Sequence, residues 1–158
     1  MWFVGRARNK LFGWRLVGMN VLGIGTDITE GLRIAQMIDR HGELFVGRVY
    51  TTAEIDYCRR RRMATQHFAG RWAAKEAVLK ALGTGWRNGI SWRDIEVLNG
   101  AGGRPTVSLQ GGTREIAERM GIHSVLVSIS HCRSHATAFA TALDEVPPTF
   151  SVDMPWKL

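Results

Sequence analysis

The chain has 158 residues, 45% of them hydrophobic and 22% charged, the length and balance of one globular domain with its own core. No apolar run reaches the ~18 residues of a membrane span. Cys58 and Cys132 stand in no metal-like spacing; two free thiols in a reducing cytosol is the simpler reading, with a single disulfide as the alternative.

The net charge of +7 directs attention to an anionic partner: nucleic acid, a membrane surface, a phosphorylated ligand or an acidic protein. Arg6, Arg8, Lys10 and Arg15 put +4 of it in residues 1–18 and leave +3 for the rest. This first segment breaks every apolar run with a base and precedes no small-residue cleavage site. It reads as a loosely docked extension rather than a secretion signal, with a membrane-surface helix as the alternative. Met19 is an alternative start. "NVLGIGTDI" (Asn20–Ile28) reads as a short buried strand. Thr29 to about His41 reads as a helix with Leu32, Ile34, Ala35 and Ile38 inward and Gly42 as its stop. Thr51-x-x-Glu54 is a capping-box pattern opening a short helix that runs into Arg59-Arg60-Arg61-Arg62. A long Ala-rich helix starts at Thr65 or Gln66 and ends at Gly83. "DIEVLN" and "PTVSLQ" are strands around the turn "GAGGR". Thr113 to Met120 is a helix closed by Gly121. "SVLVSISH" and "HATAFATAL" form a hairpin through His131 to Ser134. Residues 146–158 are a tail without periodicity. Helices and strands are segregated, which predicts an α+β fold: an antiparallel sheet with a long central helix, in one domain at residues 19–145.

The chemistry-bearing residues cluster around the long helix. Glu76 and Lys80 are four apart in the order that favours a helical ion pair. Their neighbours Trp72, Ala73, Ala74, Ala77, Leu79, Ala81 and Leu82 leave little polar surface, so a semi-buried Glu76 needs a cation. Asp27 ends a glycine-bearing strand on the face of Gly23 and Gly25, and the glycines leave room for something bulky beside it. Asp27 or Thr29 could instead cap the next helix. Two carboxylates from separate elements suit Mg²⁺, which takes one or two carboxylates plus waters and phosphates. Gly83-Thr84-Gly85 either caps the helix or lets backbone N–H groups approach an anion, with Lys80 and Arg71 as charged partners. His131 follows Ser130 at a strand end, where a structural histidine is the ordinary reading.

Four segments in this order carry a resemblance: "GIGTDITEGLRI", "FAGRWAAKEAVLKALGTG", "SWRDIEVLNGAGGRP" and "VSISHCRSHATAFA". They contain Gly25-x-Asp27 and Trp72-x-x-Lys75-Glu76-Ala77-x-x-Lys80. The chain resembles the bacterial holo-acyl-carrier-protein synthases of the 4′-phosphopantetheinyl transferase superfamily over roughly Val21 to Ala142. The resemblance implies an enzyme that moves the phosphopantetheine arm of coenzyme A to a serine of apo-acyl carrier protein, releasing adenosine 3′,5′-bisphosphate. It implies Asp27 and Glu76 as Mg²⁺ ligands and, with Lys80, as the catalytic set, Lys80 facing the pyrophosphate. It further implies Arg71, Ser130, His131 and the Gly103-Arg104-Pro105 turn around the adenosine and its 3′-phosphate. Gly83, Thr84 and Gly85 would lie along the cofactor, and Arg33 and Arg40 would meet the acidic carrier. A cytoplasmic homotrimer with sites at subunit interfaces belongs to the same expectation. Two other classes compete. A nucleic-acid-binding module would draw on the +7 charge and the Arg59–Arg62 run, but no aromatic residues interleave with that run. A carrier-binding scaffold without catalysis would have no need of Asp27, Glu76 and Lys80 together.

Overall fold

The computed structural model describes residues 20–85 and 89–145, so the expected basic extension (1–18) and tail (146–158) lie outside the described residues. Strand β1 (Val21–Glu30) leads into helix α1 (Gly31–Val49), α2 (Thr52–Arg59) and α3 (Ala64–Ala81). Hairpin β2 (Ile95–Asn99) and β3 (Pro105–Leu109) follows, then α4 (Gly111–Arg119) and a second hairpin, β4 (Ser124–His131) and β5 (His135–Leu143). The expected element order and α+β class hold. The sheet is antiparallel with order β1-β5-β4, and β2-β3 forms a separate two-stranded ribbon.

Helix α3 lies against the inner face of the sheet, and small residues on both sides set the distance. Ala136, Ala138, Ala140 and Ala142, alternating along β5, and Ala73, Ala74, Ala77 and Ala81 of α3 are all buried. The approach is closest at β1. A Cβ at Gly23 would sit 2.0 Å from the Ala81 carbonyl oxygen, and one at Gly25 would sit 2.0 Å from that of Ala77. The space left by these glycines is therefore filled by helix backbone, not by a ligand, which corrects the sequence expectation.

Two features of α1 also differ. Strand β1 pairs through Thr29↔Ala136 and Glu30↔His135, so the helix begins two residues later than expected. Gly42 interrupts the helix with φ 53° and ψ −134°, but helical structure resumes to Val49 and buries Phe45, Val46 and Val49. Leu32, expected inward, is 66% exposed. Helix geometry explains it: residues two apart point about 200° away from one another, so Leu32 cannot share the buried side of Ile34. The capping box at α2 forms as expected, with Thr51 and Glu54 bonded reciprocally.

The glycine contact yields a paired prediction. Gly25→Ala should destabilise the protein by about 3 kcal/mol or more, because the clash is with backbone that cannot step aside. Gly47→Ala, at a helical position with open space within 4 Å, should stabilise it by about 0.5–1 kcal/mol. Urea unfolding of the two variants checks the contrast.

Candidate functional site

Asp27 is the residue at which the inner face of β1 regains a side chain after Gly23 and Gly25. Its Oδ1 accepts a hydrogen bond from Lys80 Nζ at 2.8 Å, and its Oδ2 accepts one from the Thr29 hydroxyl at 2.8 Å. Lys80 also donates to the Thr26 carbonyl at 2.9 Å. Lys80 thus bridges from helix to strand instead of pairing with Glu76 along the helix. Neither Asp27 nor Thr29 caps α1, whose N-cap residue Glu30 makes no side-chain cap bond. Glu76, one turn before Lys80, is half-buried. Burial first, and the charge of Asp27 second, raise its pKa above the ordinary carboxylate value, while Lys80 and Arg33 oppose the shift. Arg33 is therefore within electrostatic reach of this cluster.

The donor chemistry fits a hard divalent cation. Two carboxylates from separate elements repel one another here, and a cation between them would relieve both the repulsion and the desolvation of Glu76. Among the described residues no third His, Cys, Asp or Glu joins them. That is the donor set of an ion which completes its shell with water and phosphate oxygens, as Mg²⁺ does.

A second cluster lies earlier on α3. A cavity of about 200 Å³ is lined by Tyr57, His67, Arg71, Gly103, Pro105 and His131, among others. Arg71 is buried. Its guanidinium lies 4.0 Å from the Tyr57 ring centroid, Nη2 donates to Asn99 Oδ1 at 2.8 Å, and Nη1 donates to the His67 carbonyl at 3.4 Å. Its Nε has no hydrogen-bond partner among the described residues. The structure thus gathers Arg71, Pro105 and His131, with Gly103, from three regions of the sequence. Arg104 is exposed, and strand alternation turns Ser130 to the opposite sheet face from His131; neither lines this cavity. Gly83, Thr84 and Gly85 close the far end of α3. Gly83 and Gly85 have φ of 65° and 55°, values that favour glycine, and the Thr84 hydroxyl is buried with no partner among the described residues. Nine residues of helix separate Arg71 from Lys80, a rise of about 14 Å, so the cavity, the carboxylates and the glycine loop follow one another along a single rigid rod.

The basic run after α2 is partly committed to internal contacts. Arg59 pairs with Glu43, and the Arg61 guanidinium lies 4.6 Å from the Tyr57 ring centroid. Arg33 and Arg40 are both exposed on α1.

One pair escaped the sequence reading. Lys75 and Glu54 form an ion pair at 2.8 Å with both side chains 0% exposed. Lys75 also donates to the carbonyls of Trp92 and Ile95, so all three ammonium protons are used. Glu54 accepts from the Thr51 and Val97 amides at 2.8 and 3.0 Å. Glu54 was legible only as half of a capping box. The one available signal for Lys75 was a lysine flanked by alanines on a helix too apolar to offer it solvent.

Residues 23–140 match the family model described as the 4′-phosphopantetheinyl transferase superfamily. A holo-acyl-carrier-protein synthase of Protochlamydia amoebophila is 50% identical over 119 residues, covering 75% of this chain and 95% of that protein. The crystal structure of the Neisseria meningitidis holo-acyl-carrier-protein synthase superposes with a TM-score of 0.72 at 34% identity, covering 78% of this chain and 98% of that one. A holo-acyl-carrier-protein synthase from Bacillus anthracis, solved in complex with CoA (3′,5′-ADP), has a TM-score of 0.66 at 35% identity, with 79% and 98% covered.

The raised pKa of Glu76 has a consequence for stability. A group whose pKa is raised by folding contributes most below its ordinary value of 4.5, and that contribution is lost as pH rises through the folded value. At neutral pH Glu76 therefore contributes less to the fold than it does in acid. Glu76→Gln should raise the thermal midpoint in chelator at pH 7 slightly and leave it nearly unchanged near pH 4. Calorimetry at the two pH values checks the sign.

Proposed function

This chain belongs to the holo-acyl-carrier-protein synthases of the 4′-phosphopantetheinyl transferase superfamily, and from that premise we propose that it transfers the 4′-phosphopantetheine arm of coenzyme A to a serine of apo-acyl carrier protein. The products are holo-acyl carrier protein and adenosine 3′,5′-bisphosphate. The observation that carries this reading is the convergence of Asp27, Glu76 and Lys80, from β1 and α3, at one point on a helix whose other stations are the Arg71 cavity and the Gly83–Gly85 loop.

The reaction is a displacement at phosphorus. A new bond forms between the serine oxygen and the β-phosphorus of the CoA pyrophosphate, the bond to the bisphosphate oxygen breaks, and the serine proton passes to a nearby carboxylate, Glu76 or one of the carrier protein. Such chemistry depends on holding the groups in line and on neutralising charge. Asp27 and Glu76 would hold Mg²⁺, which supplies neutralisation of the pyrophosphate oxygens when bound. Lys80 extends its ammonium from the same cluster and stabilises the charge that develops on the leaving group. Arg71, stacked on Tyr57 and tied to Asn99, would hold the adenosine 3′-phosphate with His131 and the Gly103-Arg104-Pro105 turn; Ser130 sits at the same strand end. Gly83, Thr84 and Gly85 would run beside the pantetheine portion, where the Thr84 hydroxyl, without a partner among the described residues, can donate.

Arg33 and Arg40 would meet the acidic carrier. The link between Arg33 and Glu76 supports this, because a carrier seated on α1 would deliver its serine next to the carboxylates. The outer face of the sheet supports self-association: Ile24 and Ile28 of β1 are 63% and 71% exposed, and Phe139 of β5 adds an aromatic ring. A homotrimer with sites completed between subunits is the assembly that follows from the family resemblance, and light scattering at micromolar protein decides the mass. No helix among the described residues is long and apolar enough to cross a membrane. Cys58 and Cys132 are unpaired, which supports a cytoplasmic setting.

Incubation of the full chain with CoA, Mg²⁺ and apo-carrier should add the phosphopantetheine mass to the carrier. Asp27→Asn and Glu76→Gln should each lose about 10²-fold or more in turnover while the fold survives. Full turnover by wild type in excess chelator would remove the metal from this reading. For docking, Arg40→Glu should raise the KM for carrier several-fold at low salt and leave that for CoA unchanged. Arg33→Glu should alter turnover as well, because its charge reaches Glu76. Steady-state kinetics in both substrates separates the two arginines.

A further inference from the structure

Two histidines line the Arg71 cavity. His67 comes from α3 and His131 from the end of β4, and their rings meet edge to face with centroids 5.8 Å apart. His67 also meets Tyr57 edge-on at 5.7 Å. The charged groups that face His67 are all basic: Arg71 on α3, Arg61 just past α2, and His131 on β4 when protonated. The β2-β3 side of the cavity contributes Asn99, Gly103 and Pro105, which carry no charge. Among the described residues no carboxylate lines it.

The two imidazoles therefore sit in a polar cavity that already holds a buried arginine and offers nothing to balance further positive charge. Burial first, then Arg71, His131 and Arg61, all push the pKa of His67 down. An anion seated among these groups reverses that balance.

We propose that His67 and His131 form a proton-linked pair, so that capture of the adenosine 3′-phosphate of CoA draws a proton onto the imidazoles and CoA binds with net proton uptake. This rests on the reading that the cavity receives that phosphate. The ligand chemistry selected is a phosphate monoester dianion. Its second pKa is near 6, so it is predominantly dianionic at pH 7.5. Binding brings the dianion and the imidazoles together, and the proton moves from buffer to a ring nitrogen; no other bond is made or broken. His67 becomes a specificity-determining residue, because a ligand without the monoester has nothing to hold that proton in place.

Isothermal titration calorimetry of the full chain tests this with CoA and with dephospho-CoA, which lacks the 3′-phosphate, at pH 7.5 in buffers of different ionisation enthalpy. CoA should take up a fraction of a proton and dephospho-CoA none. CoA affinity should fall as pH rises above 7, by at most about tenfold per pH unit for one linked proton, while dephospho-CoA affinity stays flat. His67→Gln should bring the uptake close to zero. A phosphate giving up its own proton to the arginine field would register as release, the opposite sign. CoA binding without uptake, or with the same uptake as dephospho-CoA, overturns the proposal and leaves the transferase reading intact. A chain that binds neither ligand at any pH overturns both. Should His67→Gln not fold, His131→Gln serves in its place: unchanged uptake in that variant puts the proton elsewhere and overturns the pair.

Discussion

Everything in this molecule hangs on a contact between two stretches of backbone. Gly23 and Gly25 of β1 lie directly under the carbonyls of Ala81 and Ala77 of α3, with no side chain between them. Helices usually stand off a sheet by the length of the residues that separate them. Here the glycines of β1 and the alanines of β5 and α3 shorten that distance. Asp27, on the strand, and Lys80, on the helix, can then join at 2.8 Å although 53 residues separate them in sequence. A wider gap would leave the carboxylate and the ammonium each in its own layer.

The same closeness explains the uneven distribution of polarity along α3. The helix is buried around most of its circumference, with Phe68, Ala73, Val78 and Leu79 facing different parts of two hydrophobic clusters. Three of its cations each have a specific destination. Arg71 ends at Asn99 and the Tyr57 ring, Lys75 at Glu54, and Lys80 at Asp27. Charges on this helix are read best as addresses of its neighbours.

Much of this was legible in the sequence, and the failures have physical causes. The glycine-bearing strand, the long helix, the two hairpins and the capping box could be read because each depends on local spacing and turn chemistry. The faces of β1 followed from alternation, so Gly23, Gly25 and Asp27 were grouped correctly. What would fill the space above the glycines could not be read, because a missing side chain does not name the neighbour that takes its volume. Leu32 was misassigned by counting apolar residues rather than their angular positions. The gathering of Arg71, Pro105 and His131 was legible only through family resemblance, since no local pattern relates α3, the β2-β3 turn and the end of β4. Glu54 and Lys75 were hidden for the same reason: their bond joins elements whose separation in sequence carries no periodic signal.

Lys75 and Glu76 are consecutive, so they project about 100° apart from α3. One is sealed in the interior and the other opens toward Asp27. Turning the helix about its axis would drag the Lys75 ammonium away from Glu54 and from the Trp92 and Ile95 carbonyls, at a cost of about 3–5 kcal/mol. The buried pair therefore acts as a rotational key. It fixes the azimuth at which Glu76 emerges, and it does so from the side of the helix that is sealed away from solvent.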